Sequence, residues 1–311
     1  MTDLTPRRPG ATAFGADALG LSESQFKLLR DLIAERTGVY FADERRDLLA
    51  DKLSELLAER GMTSHLDYYY LLRYDADADR HWADLADRLA VPETYFWRQP
   101  EQILALANVI APRHLERPGA GPLRIWCAAC CTGEEPLSLA IALAEAGLLH
   151  RRQIEIVASD ASAAMVDIAA GGLYGERSFR NLPWALRERY FAREGARWRV
   201  DRTVHGAIRW TTANLVDPVA VAPLATADVI FCRNVFIYFS DQTIARVARL
   251  FAEHMPNRAH LFLGASESLS RLETDFELQE VAGAFVYVKE TSSRGSHGHD
   301  ADGVAREHRA G

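Results

Sequence analysis

The spacing of the apolar residues changes once along this chain of 311 residues, at Pro118–Gly121. Before that point apolar residues recur every three or four positions, which is typical of one face of a helix. After it, short apolar runs alternate with helical stretches, which predicts a mostly parallel sheet covered on both faces. We therefore expect two folded units, an all-α unit followed by an α/β unit.

The all-α unit is predicted over residues 21–90. Ser22, followed three residues later by Gln25, fits a capping box at the start of a first helix. Gly61 indicates the end of a second helix, and Ser64 is suited to begin a third. With a fourth apolar stripe that includes Trp82, these patterns predict a small helical bundle.

Four apolar runs in the second unit are predicted as strands of the main sheet: Leu123–Trp126, Ile154–Ala158, Asp228–Cys232 and Leu261–Leu263. Glu277–Val281 and Phe285–Val288 read as a closing hairpin. Apolar and polar residues alternate in Arg197–Val200 and in Ile208–Thr211. That period of two predicts a small antiparallel sheet outside the main one, in an insertion at about residues 186–213.

Composition argues against several function classes. The formal net charge is -7, whereas general binding to nucleic acid relies on an excess of Lys and Arg. The longest apolar runs, such as residues 228–239, are interrupted by charge well short of the roughly 20 residues of a membrane helix. No signal segment opens the sequence. We expect a cytoplasmic protein that is not membrane-inserted and binds no nucleic acid.

The two ends, residues 1–20 and 291–311, lack apolar periodicity and have the composition of mobile tails. His297, His299 and His308 in the second tail are candidate metal ligands, but a solvated tail is favoured. Cys127, Cys130, Cys131 and Cys232 raise the alternative of a zinc site. Because no second Cys or His pair matches their spacing, small buried residues in a tight turn are favoured, and no metal is predicted.

Two loops of the predicted sheet carry candidate ligand contacts. The loop after the first strand runs from Cys127 to Pro136 and places small residues and Gly133 where a backbone bends close to a ligand. It lacks Gly-x-Gly-x-x-Gly, so a dinucleotide site is poorly supported, and a turn for packing alone is equally compatible with it. Asp160 ends the second strand, where nucleotide-binding sheets place an acid for ribose hydroxyls. A lone Asp there is more often a helix cap, but together the two loops favour a ribose-bearing ligand.

Several motifs occur in the order seen in one family: Pro92–Arg98, Thr132–Pro136, Asn214–Leu215, Phe231–Phe239 and Gly264–Leu269. On these motifs the chain resembles the CheR-type chemotaxis receptor methyltransferases over roughly residues 21–290. The resemblance implies a Rossmann-like methyltransferase sheet with a small antiparallel β insertion over residues 91–290, preceded by the helical N-terminal domain. It also implies S-adenosylmethionine as the methyl donor, with S-adenosylhomocysteine as the product.

The same resemblance assigns roles by position. The residues that match cofactor-contacting positions are Thr94, Arg98, Ala129, Glu135, Asp160, Asn214, Leu215, Arg233 and Asn234. Arg98 and Tyr238 match positions that face the reacting glutamate and are the predicted catalytic residues. The chain departs from the family pattern at Pro92, Cys127, Cys131, Leu137 and Ala265, where the family usually has Asn, Ser, Ser, Tyr and His.

The implied activity is methyl transfer to glutamate carboxylates in the cytoplasmic domain of methyl-accepting chemoreceptors, by a monomer. A glutamate is already ionised near neutral pH, so no strong base is required. Arg98 suits the reaction because its guanidinium can orient a carboxylate through two parallel hydrogen bonds, although an ion pair at the surface is the alternative. A related methyltransferase with another protein or a small carboxylate as acceptor, or a non-catalytic cofactor-sensing docking protein, are the competing interpretations.

The second predicted helix suggests where an acidic partner would bind. Arg45, Lys52 and Arg60 are spaced to form a local basic stripe. Acidic residues share the helix, so the alternative is that these cations merely pair with neighbouring carboxylates, and the two interpretations stay equal at this point.

Overall fold

The computed structural model describes residues 20–149 and 153–289. The tails predicted at residues 1–20 and 291–311 lie outside these ranges apart from Gly20, as do His297, His299 and His308. None of the helices in the two described ranges has the length and apolar content of a bilayer-spanning segment.

Residues 20–90 are all described and form a bundle of four α-helices: α1 (Glu23–Thr37), α2 (Arg46–Glu59), α3 (His65–Tyr74) and α4 (Ala78–Leu89). The predicted capping box is confirmed, because the Ser22 hydroxyl accepts from the Gln25 N–H and the Gln25 side chain accepts from the Ser22 N–H. Ser64 begins α3 by accepting from the Asp67 N–H. The apolar stripes meet in one buried core that includes Phe26, Leu29, Ile33, Leu49, Leu53, Tyr68 and Leu85.

A helical segment that the sequence analysis did not predict follows the bundle. It consists of α5 (Pro100–Ala105), one π-helical turn (Leu106–Ile110) and α6 (Ala111–Leu115). Ile103, Leu106 and Ile110 are buried in the same core as the strands of the second unit. The segment therefore belongs to the α/β unit rather than to a flexible linker.

The second unit contains these strands in chain order: β1 (Leu123–Ala128), β2 (Ile154–Asp160), β3 (Leu173–Tyr174), β4 (Phe191–Glu194), β5 (Arg197–Val200), β6 (Ile208–Thr212), β7 (Val229–Phe231), β8 (His260–Phe262), β9 (Phe276–Val281) and β10 (Ala284–Lys289). Within the described residues the main sheet has seven strands in the order β6-β2-β1-β7-β8-β10-β9. The first five of these run parallel, and β10 is antiparallel to both of its neighbours, β8 and β9. The predicted fold class is confirmed.

The described α-helices that follow β1 in this unit are α7 (Glu134–Glu145), α8 (Ala163–Gly171), α9 (Trp184–Tyr190), α10 (Arg202–Gly206), α11 (Pro218–Val221) and α12 (Asp241–His254). Helix α7 follows β1 and α8 follows β2 directly. The carboxyl ends of the parallel strands meet at one edge of the sheet, so their loops lie side by side.

One predicted strand pairing is wrong. The small antiparallel sheet contains β3, β5 and β4 in that order, whereas Ile208–Thr212 is the edge strand β6 of the main sheet and runs parallel to β2. An edge strand with one covered face alternates between apolar and polar residues just as an antiparallel strand does, so the pattern did not distinguish the two. In the structure the insertion that carries the small sheet therefore extends from Leu173 to Val200 instead of about 186–213.

The helical bundle contacts the carboxyl edge of the main sheet directly. The Tyr40 N–H donates to the Tyr238 carbonyl at 2.8 Å, beside a β-bridge between Val39 and Phe239. A second contact joins α4 to the start of α8, where Asp87 accepts from the Ser162 hydroxyl at 2.5 Å. These contacts place the bundle over the loops that follow the strands.

Gly38 offers a test of this junction. It ends α1 at φ 82°, and a Cβ there would lie 2.8 Å from the Phe239 ring and 2.9 Å from Val216. We expect Gly38→Ala to lower the thermal midpoint more than Gly61→Ala. Gly61 also has a positive φ, of 63°, but has no atom within 4 Å of such a Cβ. The control bears only the left-handed backbone cost of about 1–2 kcal/mol, whereas Gly38→Ala adds an overpacking cost of about 1–3 kcal/mol. Equal losses in thermal unfolding would show that the junction is not tightly packed.

Candidate active site

A cleft opens at the carboxyl edge of the main sheet, beneath the helical bundle. All of the residues predicted from the motifs line it: Thr94, Arg98, Ala129, Glu135, Asp160, Asn214, Leu215, Arg233, Asn234 and Tyr238. The bundle contributes apolar wall residues that the sequence analysis did not single out, among them Ala86, Leu89 and Ala90 of α4 and its end. The cleft is therefore built by both units.

The loop after β1 forms one wall through an unusual backbone path. Ala129, Cys131 and Gly133 have positive φ angles of 59°, 50° and 94°. Gly133 is required at its position, since a Cβ would lie 2.8 Å from the Ala169 methyl group and 3.0 Å from the Trp210 ring. The bend turns the loop backbone toward the cleft, as the small residues predicted.

Asp160 connects this loop to the end of β2. Its carboxylate accepts from the Cys131 N–H at 2.9 Å and from the Ser162 N–H at 3.0 Å. Burial raises the pKa of Asp160, while these backbone hydrogen bonds oppose the rise. The residue that caps α8 is Ser162, whose hydroxyl accepts from the Met165 N–H. The helix-cap alternative for Asp160 is therefore wrong.

Arg233 lies at the base of the cleft in a fully bonded network. Its Nε donates to Glu135 at 2.6 Å, its Nη1 to the Gln102 side chain at 2.9 Å and its Nη2 to the Arg98 carbonyl at 2.8 Å. The Arg233 side chain is only 2% exposed and that of Glu135 is 12% exposed. Burial raises the pKa of Glu135 and the Arg233 charge lowers it, with burial the larger effect. Arg233 therefore organises the site from beneath.

Arg98 differs from Arg233 in leaving most of its guanidinium unbonded. Its Nη1 donates to the Glu93 carbonyl at 3.0 Å, and its guanidinium carbon lies 5.4 Å from the centre of the Tyr95 ring. Within the part of the chain that the structure describes, no carboxylate forms an ion pair with it. Burial raises the pKa of the Tyr238 hydroxyl, and the nearby Arg98 charge opposes that rise. Arg98 and Tyr238 are thus electrostatic neighbours.

Two predicted residues also have structural contacts. Asn214 donates from its side-chain amide to the Arg36 carbonyl at 2.7 Å, which joins the α/β unit to the bundle. Asn234 adopts φ 59°, a conformation that Asn tolerates better than most residues. Thr94 and Leu215 line the cleft, and Leu215 is also part of the sheet core.

Sequence reasoning missed three polar residues that support the site. Gln102 holds Arg233, as described above, and the buried Glu134 accepts from the Thr132 and Ser178 hydroxyls at 2.6 and 2.8 Å. Glu267 accepts from backbone N–H groups of the loop after β7. Glu134 and Glu267 lie within the motifs Thr132–Pro136 and Gly264–Leu269. The motifs therefore indicated that these residues are near the site, but not which groups they bind. No local pattern singled out Gln102.

The cysteines are free thiols, and all but Cys131 are buried. Burial raises the pKa of the Cys131 thiol to about 12, so it is protonated near neutral pH. No group of three or more His, Cys, Asp or Glu within residues 20–149 and 153–289 is placed to hold a metal.

The basic stripe proposed on the second helix is not supported. Lys52 donates to the Arg88 carbonyl at 2.9 Å, and Arg60 forms an ion pair with Asp84. Both cations are thus bound within the helical bundle. Arg45 precedes α2 and is exposed.

Comparison with known families decides the assignment. The sequence model described as "CheR methyltransferase, SAM binding domain" matches residues 92–285, and "CheR methyltransferase, all-alpha domain" matches residues 24–90. The chain belongs to the CheR methyltransferase family. It is an S-adenosylmethionine-dependent methyltransferase, and the predicted family membership and cofactor are confirmed.

Individual CheR relatives are similar over most of their length. The chain is 32% identical to the chemotaxis protein methyltransferase 2 of Vibrio cholerae over 86% of this chain and 94% of that protein. It is 31% identical to the chemotaxis protein methyltransferase of Escherichia coli over 85% and 91%. A probable biofilm formation methyltransferase, WspC of Pseudomonas putida, is 32% identical over 80% of this chain and 60% of that protein.

The cleft of this CheR chain has the chemical groups that S-adenosylmethionine requires. Carboxylates of Asp160 and Glu135 supply acceptors for hydroxyl and ammonium groups. Leu89, Leu215 and Val235 supply apolar wall for a purine ring. The bent backbone after β1 lies where α/β sheets hold nucleotide ligands. The residues present therefore fit the cofactor.

The buried pair beneath the CheR cleft leads to a stability prediction. Arg233→Met leaves Glu135 without its counter-charge, and we expect a loss of about 3–5 kcal/mol in the free energy of unfolding. Arg124→Met is the matched control, because Arg124 and Glu155 lie 3.7 Å apart with side chains 53% and 58% exposed. Such an exposed pair contributes about 0–1 kcal/mol.

The pH dependence of that loss has a definite sign. An acid whose pKa is raised on folding contributes stability below its unfolded pKa and loses it as the pH rises through its folded pKa. Removing Arg233 takes away an influence that lowers the pKa of Glu135. We therefore expect the deficit of Arg233→Met to be smaller at about pH 5 than at about pH 8. Chemical denaturation at both pH values checks this, and a deficit independent of pH would contradict the pairing.

Proposed function

We propose that this chain transfers a methyl group to glutamate side-chain carboxylates in the cytoplasmic domain of methyl-accepting chemoreceptors. The observation that carries the proposal is Arg98, whose guanidinium faces the cleft beside Tyr238 with no carboxylate partner among the described residues. The names of the relatives in Vibrio cholerae and Escherichia coli support a role in chemotaxis. We propose that it acts as a monomer in the cytoplasm, where that receptor domain lies.

Arg98 is suited to orient an anionic acceptor. The Glu93 carbonyl fixes one end of its guanidinium, and the remaining N–H groups are available to a carboxylate. A glutamate carboxylate is ionised near neutral pH, so the site needs no base to activate it. The fork of Arg98 N–H groups orients the carboxylate, and a second lone pair on one of its oxygens stays free to attack the methyl group.

The surrounding residues supply orientation and exclude water. Tyr238 retains its proton because burial raises its pKa, so its hydroxyl is a neutral hydrogen-bond donor beside Arg98. The Arg233 guanidinium already donates to Glu135 and Gln102, so it does not compete with Arg98 for the acceptor carboxylate. When bound, S-adenosylmethionine supplies a methyl group on a cationic sulfur. Attack by an anion cancels charge, which favours a site from which water is excluded.

A second acceptor class is supported by a specific observation. The similarity to a probable biofilm formation methyltransferase of Pseudomonas putida is as high in identity as that to the chemotaxis enzyme of Vibrio cholerae. A receptor that controls an output other than motility is thus the second candidate, and the chemistry at the carboxylate is the same.

Transfer of a labelled methyl group from S-adenosylmethionine tests the proposal. The purified chain is incubated with cytoplasmic domains of chemoreceptors from its own genome, and the modified residue is mapped by mass spectrometry. Base-labile label on glutamate supports the proposal. Label on another residue type, or no label on any receptor domain from a chain that binds the cofactor, contradicts it.

For the cofactor, we expect Asp160→Asn to weaken binding of S-adenosylmethionine by about tenfold or more. The carboxylate that accepts from the cofactor hydroxyls becomes a neutral amide, and a hydrogen bond to a charged group contributes about 1.5–3 kcal/mol. Asp167→Asn, an exposed change on α8, is the control. Calorimetric titration that found unchanged affinity would remove Asp160 from the cofactor site.

For the acceptor, we expect Arg98→Lys to fold normally but to lower kcat by about 100-fold, because an ammonium group cannot reproduce the fork geometry. Arg249→Lys, an exposed change on α12, is the control. Steady-state methylation of the receptor domain measures the effect. Near-normal turnover by the folded Arg98→Lys variant would rule out the orienting role.

A further inference from the structure

The loop after β7 carries Arg233, Asn234 and Tyr238 into the cleft, and its backbone is held from outside the loop. Arg233 is fixed by its own side chain, as described above. Asn234, the next residue, has a left-handed backbone at φ 59° and begins a turn that leads to the 3₁₀ helix Phe236–Tyr238. Val235, the N-cap residue of that helix, makes no side-chain cap hydrogen bond.

Glu267 supplies the hydrogen-bond acceptors for backbone N–H groups of this turn. One carboxylate oxygen, Oε2, accepts from the Asn234 N–H at 2.7 Å and from the Gly264 N–H at 2.6 Å. The other, Oε1, accepts from the Phe236 N–H at 2.7 Å. Three backbone donors from two separate loops thus converge on one side chain. Hydrogen bonds from N–H groups to an ionised carboxylate are among the strong ones in proteins.

The space around this contact is closed. A Cβ at position 264 would lie 2.6 Å from Asn234 Nδ2 and 2.8 Å from Glu267 Oε2. Gly264 therefore permits the loop after β8 to approach the loop after β7 closely enough for Glu267 to bridge them. The Asn234 side chain lies directly against Gly264, on the side of the turn that faces the cleft.

We infer that Glu267 is a positioning residue for methyl transfer: its carboxylate holds the backbone of the loop after β7 so that Asn234 and Tyr238 present their side chains to the cleft. Glu267 itself is not one of the cleft-lining residues and acts through the loop. A glutamine cannot replace it, since glutamine offers one acceptor oxygen to three N–H donors and sets an NH₂ group against one of them.

The test uses the full chain and S-adenosylhomocysteine without any acceptor protein. We expect Glu267→Gln to raise the Kd for S-adenosylhomocysteine by about tenfold or more, because Asn234 is no longer held against the cleft. Glu273→Gln is the matched control, since Glu273 is an exposed acid on the same segment. A purely structural role would lower the thermal midpoint but leave the affinity of the folded protein unchanged.

Gly264→Ala is the second variant and disturbs the same contact while Glu267 stays intact. We expect it to raise the Kd for S-adenosylhomocysteine by about tenfold or more as well. If Glu267→Gln does not fold, Glu267→Asp, which keeps both carboxylate oxygens on a shorter side chain, decides by the same criterion. A folded Glu267→Gln protein that binds S-adenosylhomocysteine within about twofold of the wild type would overturn the inference.

A second readout separates this inference from the proposed function. With a receptor domain as acceptor, kcat at saturating S-adenosylmethionine is expected to fall by about tenfold or more in Glu267→Gln, because Tyr238 follows in the same loop. This readout rests on the proposed acceptor, whereas product binding does not. If the wild-type chain methylates no receptor domain but Glu267→Gln still weakens the binding of S-adenosylhomocysteine, the proposed function is rejected. The positioning role of Glu267 is then still supported.

Discussion

The buried contact between Arg233 and Glu135 is the interaction on which the rest of the site depends. It joins the loop after β7 to the start of α7, and through Gln102 and the Arg98 carbonyl it reaches the segment that precedes β1. Burying two charges is costly unless each is fully hydrogen-bonded, and here every guanidinium nitrogen has an acceptor. Three segments distant in sequence are thereby held in register beneath the cleft.

A division of roles between two arginines follows from this arrangement. Arg233 is almost fully buried and its charge is compensated, so it defines geometry. Arg98 also lines the cleft, and most of its donors are unbonded, so they are available to an anionic group that enters the cleft. Tyr40 and Asp87 join the helical bundle to the loops that form the cleft. The cleft is therefore lined by both units, which favours the exclusion of water from it.

Much of the fold could be predicted from local patterns. Ser22 and Ser64 begin their helices as predicted, because capping depends on residues only three positions apart. The core strands were found because they are short, apolar and separated by helical stretches. Ile208–Thr212 was assigned to the wrong sheet. Its alternating pattern indicates that one face of the strand is covered, but it does not indicate which strand lies beside it. The helix from Pro100 was missed because its exposed face includes the apolar residue Leu104, so the sequence shows no clear polar stripe.

The sequence by itself determined the two-unit organisation, the loops that follow β1, β2 and β7, and, through motifs in a fixed order, the residues that line the cleft. Only the tertiary structure decided which contacts these and other polar residues make: that the charge of Arg233 is compensated while that of Arg98 is not, that Lys52 and Arg60 are bound within the bundle, and that Glu267 accepts from the backbone of a loop 33 residues before it. The physical reason is that hydrogen-bond partners and burial are set by residues far apart in the chain. Local periodicity records which face of an element is covered, and it carries no information about which distant group covers it.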